Sequence, residues 1–277
     1  LQGGLSEGDF GLIFGHPGGG KSWSLVALGA YAVQAGFNVI HYTLELGEVY
    51  VGKRFDAFFV NEPVNQIHLH RKKTEIEINR LEGKLVVKEF SMGKATIQTL
   101  ESHIQKLKDM DLKPDLIIID YIDLLRSPKR SVDRKDEIDD VYVATKGLAR
   151  DLNIPIWSVS QVNRAGAQDD IIQGDKAAGS YDKIMISDFC LSLSRKKEDK
   201  VNGTRRLHVM KNRYGMDGLT YNAKVDTTTG HIDLDDNNEG VDIAPTKTFS
   251  QPTKSNDWDN SDIQKLRNKL SDFSDSI

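Results

Sequence analysis

The chain has 277 residues, of which 38% are hydrophobic and 28% charged, and its net charge at pH 7 is -4. This length suffices for one large α/β domain plus a tail, and the charge excludes a globally basic nucleic-acid binder while allowing one locally positive face. A single cysteine, Cys190, excludes an internal disulfide and suits a reducing compartment, and there is neither a membrane-spanning apolar stretch nor a signal-peptide pattern.

Residues 1–9 read as a loop. Leu12 to Phe14 is an apolar run that reads as a buried strand. It feeds Gly15-His16-Pro17-Gly18-Gly19-Gly20-Lys21-Ser22, a G-x-x-x-x-G-K-S match, and a helix-like stretch follows from Leu25 to Gln34. Gly36 ends that helix, and Asn38 to Thr43 reads as a second strand with Glu45 just past it. Residues 48–60 have the pattern of an amphipathic helix carrying Lys53 and Arg54. Residues 64–83 are polar and read as surface, including the pair His68 and His70. Leu85 to Phe90 is a predicted strand. Ile97, Leu100, Ile104 and Leu107 mark one face of a helix over 96–110, with Thr96 as its N-cap.

Residues 115–125 form a near-continuous apolar run, the mark of a central parallel strand buried on both faces, with the acid Asp120 at its end. A charged loop over 126–136 precedes a helix to Leu152. Ile154 to Ser160 reads as a strand ending at Gln161, and residues 165–183 read as a loop. Cys190 lies in the strand Phe189 to Ser194 and reads as a buried structural thiol. Arg206 to Met210 is the next strand, reached through a charged turn holding the hairpin signal Asn202-Gly203. Lys211 to Gly218 reads as a loop, and short strands over 220–225 and 230–234 close the domain. Residues 235–277 are acidic, Ser-rich and disordered by composition, with one short amphipathic helix over 261–273. The expected domains are therefore 1–234, one α/β domain, and 235–277, a tail. Alternating strands and helices predict a doubly wound, mostly parallel α/β sheet with a C-terminal antiparallel extension.

The glycine stretch has the strand–loop–helix context that a phosphate-binding loop requires. Glycines let backbone N–H groups close around a phosphate, and a helix N-terminus adds a favourable dipole. Lys21 is expected to reach the β- and γ-phosphates, and Ser22 with Asp120 to hold Mg²⁺. Glu45 is the candidate base or water-orienting group, and Gln161 the candidate γ-phosphate sensor. The loop glycines, Glu45, Asp120 and Gln161 all lie at strand ends, where open α/β sheets place their ligands. Arg213, near Lys211, is a candidate finger reaching a neighbouring subunit.

These residues resemble the DnaB-type replicative helicases. Tyr42-Thr43-Leu44-Glu45-Leu46 is similar to the segment holding that family's catalytic Glu, and Ile119-Asp120-Tyr121-Ile122-Asp123 to its Walker B segment. Ser160-Gln161-Val162-Asn163-Arg164 and Lys211-Asn212-Arg213-Tyr214-Gly215 resemble two further motifs, in family order. The resemblance implies a RecA-like domain in a hexameric ring, with ATP and Mg²⁺ bound between subunits and single-stranded DNA threading the centre in the 5′ to 3′ direction. Lys21, Ser22, Glu45, Asp120 and Gln161 would act in cis, and Lys211 and Arg213 in trans. Residues 174–183 resemble the family's DNA loop, with Lys176 in place of its Arg, Ala177 departing from its Glu, and backbone amides near Gly179 facing phosphates. Arg126, Lys129 and Arg130 form a second candidate DNA loop.

The chain opens on Leu1 and shows no match to the family's N-terminal helical domain and linker helix. A fragment or a compact variant is expected, with phage as the expected source and the host cytoplasm as the location. The tail is a candidate recruiter of a primase, polymerase or helicase loader. The alternative is a RecA-like recombinase or a RadA/KaiC-like ATPase, which shares the loop and sheet but not the segments at 160–164 and 211–215.

Overall fold

The computed structural model describes residues 5–127, 134–162, 181–196 and 199–234. In order the elements are β1 (Phe10–Gly15), α1 (Lys21–Gln34), β2 (Val39–Thr43), α2 (Glu48–Val60), α3 (Arg71–Asn79), β3 (Leu85–Glu89), α4 (Ile97–Asp109), β4 (Leu116–Asp120), α5 (Arg134–Leu152), β5 (Ile156–Gln161), α6 (Tyr181–Ile186), β6 (Phe189–Ser194), α7 (Asp199–Asn202), β7 (Thr204–Asn212), β8 (Thr220–Val225) and β9 (Ile232–Leu234). Among the described residues the sheet has the order β3-β2-β4-β5-β1-β6-β7-β8-β9. From β3 to β6 in that order the strands are parallel, and from β6 to β9 they are antiparallel.

Strand alternation sorts the apolar side chains between two helical layers. Phe10, Leu12, Phe14, Ile40, Tyr42, Ile117 and Ile119 face α4 and α5, where Leu100, Ile104, Tyr142 and Leu148 meet them. Ile13, Val39, Ile118 and Val159 point to the opposite face, against Leu25 and Val33 of α1. Beyond that layer, Val26 and Ala30 of α1 pack on Val51, Phe55 and Phe58 of α2. Both faces of β1, β2 and β4 are therefore dry, which is why their sequences are largely apolar, with His41 the buried exception in β2. The α1 backbone crosses β4 closely: a Cβ at Gly29 would lie 2.9 Å from Ile118 Cδ1.

Thr96 caps α4 as expected. Its hydroxyl accepts from the Thr99 amide at 3.3 Å, and Thr99 Oγ1 accepts from the Thr96 amide at 3.2 Å. As expected, the strand in the run 115–125 ends at Asp120, and the chain then turns through a 3-10 segment, Ile122–Leu124, where the Ile122 amide donates to Ser158 Oγ at 3.3 Å. The hairpin expected around Asn202-Gly203 is present, since β6 and β7 pair antiparallel; within its connection Asn202 ends the single turn of α7, and Gly203 follows at φ +71. Two expectations need correction. Residues Tyr181–Ile186, read in part as loop, form α6. Lys211 lies within β7, whose pairing with β6 extends past the residues that its apolar content marks. The tail, residues 235–277, lies outside the described residues, as does its predicted helix.

Leu100 is fully buried at the centre of the α4 face. Leu100→Ala should cost roughly 2–5 kcal/mol of stability. Urea denaturation should show this as a lower midpoint with an unchanged slope.

Candidate active site

Four parallel strands end on one rim of the sheet. Gly15 pairs with Gln161 and Thr43 with Asp120, so the ends of β1, β5, β2 and β4 are held level in pairs. A cavity of about 550 Å³ opens over this rim. Lys21, Ser22, Glu45, Asp120 and Gln161 all line it, as do Pro17, Gly18 and Gly20.

The glycine loop is shaped by its backbone. Gly18 has φ +67 and Gly20 φ +104, a region that disfavours residues with a Cβ. The Gly19 amide donates to the His16 carbonyl at 3.0 Å, and a Cβ on Gly19 would lie 2.9 Å from that oxygen. Helix α1 then starts at Lys21 with no side-chain cap and no acid in its first turn. Its first N–H groups are left to an incoming anion.

Lys21 is buried, and its Nζ donates to the carbonyls of Gly15 at 3.0 Å and His16 at 2.8 Å. Burial pushes its pKa down to about 8, against the opposing pull of Asp120, Glu45 and Asp123. Asp120 is 2% exposed, and its Oδ1 has no hydrogen-bond partner among the described residues. Burial raises its pKa, a hydrogen bond from Ser22 opposes the rise, and the charge of Glu45 adds to it. Glu45 is exposed at the cavity wall. The turn that presents it is closed by Thr43, whose Oγ1 donates to the Leu46 carbonyl at 2.7 Å and accepts from the Leu46 amide at 3.2 Å. Burial first, then the charges of Lys21 and Arg195, lowers the pKa of the His16 ring.

Other sequence-predicted residues fall elsewhere. Arg213 and Lys211 do not line this cavity. The Arg213 amide donates to the Asp188 carbonyl at 3.0 Å, and the Asp188 amide to the Phe10 carbonyl at 2.9 Å. Arg213 thus sits at the start of β1, and the glycine loop at its end, about 17 Å away for a six-residue strand. Lys211 Nζ donates to the carbonyls of Ile184, Met185 and Ser187 at 2.7–2.8 Å, closing the end of α6. Arg126 is exposed beyond the turn that follows β4. Lys129, Arg130, Lys176, Ala177 and Gly179 lie outside the described residues.

Sequence reasoning missed three arginines and a tryptophan that line the cavity: Arg54, Arg195, Arg205 and Trp23. The Arg54 guanidinium lies over the Trp23 ring, 4.6 Å from its centroid. Arg205 is 4% exposed and braces the loop, its Nε donating to the Gly19 carbonyl at 3.1 Å. Arg54 had one usable signal, its place in the helix that follows Glu45. Arg205 had none, because strand pairing decides which way it points.

This arrangement fits a magnesium triphosphate. Asp120 offers an unpartnered buried oxygen beside the Ser22 hydroxyl, and Lys21 stands next to an uncapped helix N-terminus.

Sheet, loop and rim define a P-loop nucleotide-binding domain of RecA-like fold. The chain belongs to the DnaB-like helicase C-terminal domain family, whose model matches residues 1–224. It is 24% identical over 230 residues to the DnaB-like replicative helicase of Enterobacteria phage T4, covering 77% of this chain and 48% of that one. It is 27% identical over 175 residues to the replicative DNA helicase DnaB of Leifsonia xyli, covering 61% and 38%. The chain therefore spans about half the length, or less, of these curated relatives. Among solved structures, one described as an ATPase domain matches with a TM-score of 0.71 at 20% identity, covering 82% of this chain and 85% of that one. A DnaB-like replicative helicase described with its primase interactions matches with a TM-score of 0.70 at 19% identity, covering 82% and 57%.

Because burial raises the pKa of Asp120 in the folded chain, its stabilising contribution is full below the unfolded pKa and is lost as pH rises through the folded value. Asp120→Asn should therefore unfold at higher urea than wild type at pH 7, with the gap narrowing as pH falls towards 4. A variant less stable than wild type at pH 7 contradicts this account of the site.

Proposed function

We propose that this chain is the ATP-hydrolysing motor domain of a replicative DNA helicase. The observation that carries the reading is the convergence of Lys21, Ser22, Glu45, Asp120 and Gln161 on one cavity in a chain of this family. ATP is the substrate; Ser22 and Asp120 would hold Mg²⁺, which would supply charge neutralisation at the phosphates. Lys21 covers the β- and γ-phosphates. Glu45 orients the attacking water and accepts its proton. Gln161 hydrogen-bonds the terminal phosphate and registers its loss at the end of β5.

Arg213 supplies the stabilising guanidinium to the pocket of the next subunit. Its separation from its own glycine loop by the length of β1 supports action in trans over action in cis. The assembly is a ring of six that draws single-stranded DNA through its centre in the 5′ to 3′ direction, in the cytoplasm of a bacterial or phage-infected cell. DNA contacts come from Lys176, Ala177 and Gly179 and from Arg126, Lys129 and Arg130. A primase is the proposed partner, by analogy with the helicase of the same fold described with one. Strand exchange by a RecA-like filament is the competing activity, and the family match speaks against it.

ATP hydrolysis should rise on addition of single-stranded DNA, and Lys21→Ala should remove it. Absence of stimulation by DNA overturns the motor reading. Arg213→Ala should lower kcat by roughly 10³-fold. Mixing Lys21→Ala chains with Arg213→Ala chains should restore part of the rate, because each mixed interface can join an intact loop to an intact finger. Failure to complement places Arg213 outside the neighbouring pocket.

A further inference from the structure

A buried polar cluster lies directly behind the catalytic rim. Asp123 stands three residues past Asp120, in the 3-10 turn Ile122–Leu124, and Ser160 immediately precedes Gln161 in β5. The ammonium of Lys183, from α6, sits between them. Lys183 Nζ pairs with Asp123 Oδ1 and donates to Ser160 Oγ at 3.0 Å. It also stands 4.7 Å from the centroid of the Tyr142 ring of α5. The Tyr142 hydroxyl donates to Asp123 Oδ2 at 3.1 Å, and the Ser160 hydroxyl to the same oxygen at 3.3 Å. Tyr142 is fully buried and Lys183 is 8% exposed.

Four elements are thus joined through one carboxylate. A buried ion pair is poor evidence for stability, because an apolar pair of similar size packs as well or better. What it does provide is a demand for position. The Lys183 and Asp123 side chains are 11% and 15% exposed, so if one charge moves off, the other is left uncompensated in a largely buried site and the partners keep their places together. Here the two sides of the pair are unequal in role. Asp123 and Ser160 belong to the backbone that carries Asp120 and Gln161. Lys183 lies in α6 and is the last residue of the segment, 174–183, that the family resemblance assigns to DNA. Its charge points inward to Asp123, so it serves the protein interior and not a DNA phosphate.

We propose that Lys183 and Asp123 are positioning residues through which the placement of α6 sets the turn after Asp120 and the end of β5. A pull on the chain entering α6 then changes the alignment of the metal-side carboxylate and of Gln161. This rests on the motor reading, since it concerns how DNA engagement raises ATP turnover.

The test measures steady-state ATP hydrolysis with and without single-stranded oligodeoxythymidylate, in wild type, Lys183→Met, Asp123→Asn, the double variant and Lys183→Arg. Lys183→Met should lower the ratio of stimulated to basal kcat by about tenfold with little change in KM for ATP, the sign of a lost transition-state alignment. The double variant should be no worse than either single within about twofold, because the pair acts as a unit. Lys183→Arg, which keeps the charge, should recover most of the stimulation. If Lys183→Met does not fold, as judged by circular dichroism, the double variant carries the test, since it buries no unpaired charge. Unaltered stimulation in the variants, or basal and stimulated rates falling in equal proportion, overturns the proposal while leaving the motor reading intact. A wild-type chain with no ATP turnover overturns both.

Discussion

Two charges at the rim have been withdrawn from water without being given to each other. The Lys21 ammonium is held by the carbonyls of Gly15 and His16, and one oxygen of the Asp120 carboxylate has no partner among the described residues. Both sit where strands buried on two faces come to an end. Burial works against the charged form of each, lowering the pKa of the lysine and raising that of the aspartate. A polyanion carrying a divalent cation meets both needs at once, which a protein-internal partner would forestall. The site is thus a standing cost to the fold, offset by the apolar layers on either side of the sheet.

The other end of β1 offers a contrast. Asp188 is also fully buried, yet its carboxylate receives the Phe10 amide at 2.8 Å, pairs with Lys146 and has Arg213 Nη1 at 3.4 Å. Asp188 Oδ1, like Asp120 Oδ1, accepts no hydrogen bond among the described residues, but a cation stands beside each oxygen of the Asp188 carboxylate. The same six residues of β1 separate the two, so one stiff strand sets the spacing between the glycine loop and the corner where Arg213 pairs with Asp188.

Much of this was legible in the sequence, for physical reasons. Strands buried on two faces write themselves as largely apolar runs, which marked β1, β2, β4 and β5 and placed Asp120 and Gln161 at their ends. The glycine loop and the Thr96 cap are local devices, encoded within a few residues. What stayed hidden depends on partners distant in the chain. Arg205 lies between Thr204 and Arg206, with no apolar alternation to reveal which way it faces, and its inward turn toward the Gly19 carbonyl exists only in the folded sheet. The same holds for Lys183, whose neighbours Tyr181 and Asp182 are polar, and whose partner lies 60 residues upstream. Lys211 read as a loop residue because its strand is defined by pairing to β6 and not by its own composition.

The stacking of Arg54 on Trp23 has an optical consequence. Trp23 lies in the wall of the cavity, its indole under a guanidinium, whereas Trp157 is 7% exposed and packs edge-on against Phe189 at 5.9 Å. The first chromophore feels whatever enters the cavity, and the second is sealed behind the sheet. In a chain whose tail tryptophan, Trp258, is replaced, emission divides into a component that responds to occupancy and one that serves as an internal reference, with no label added.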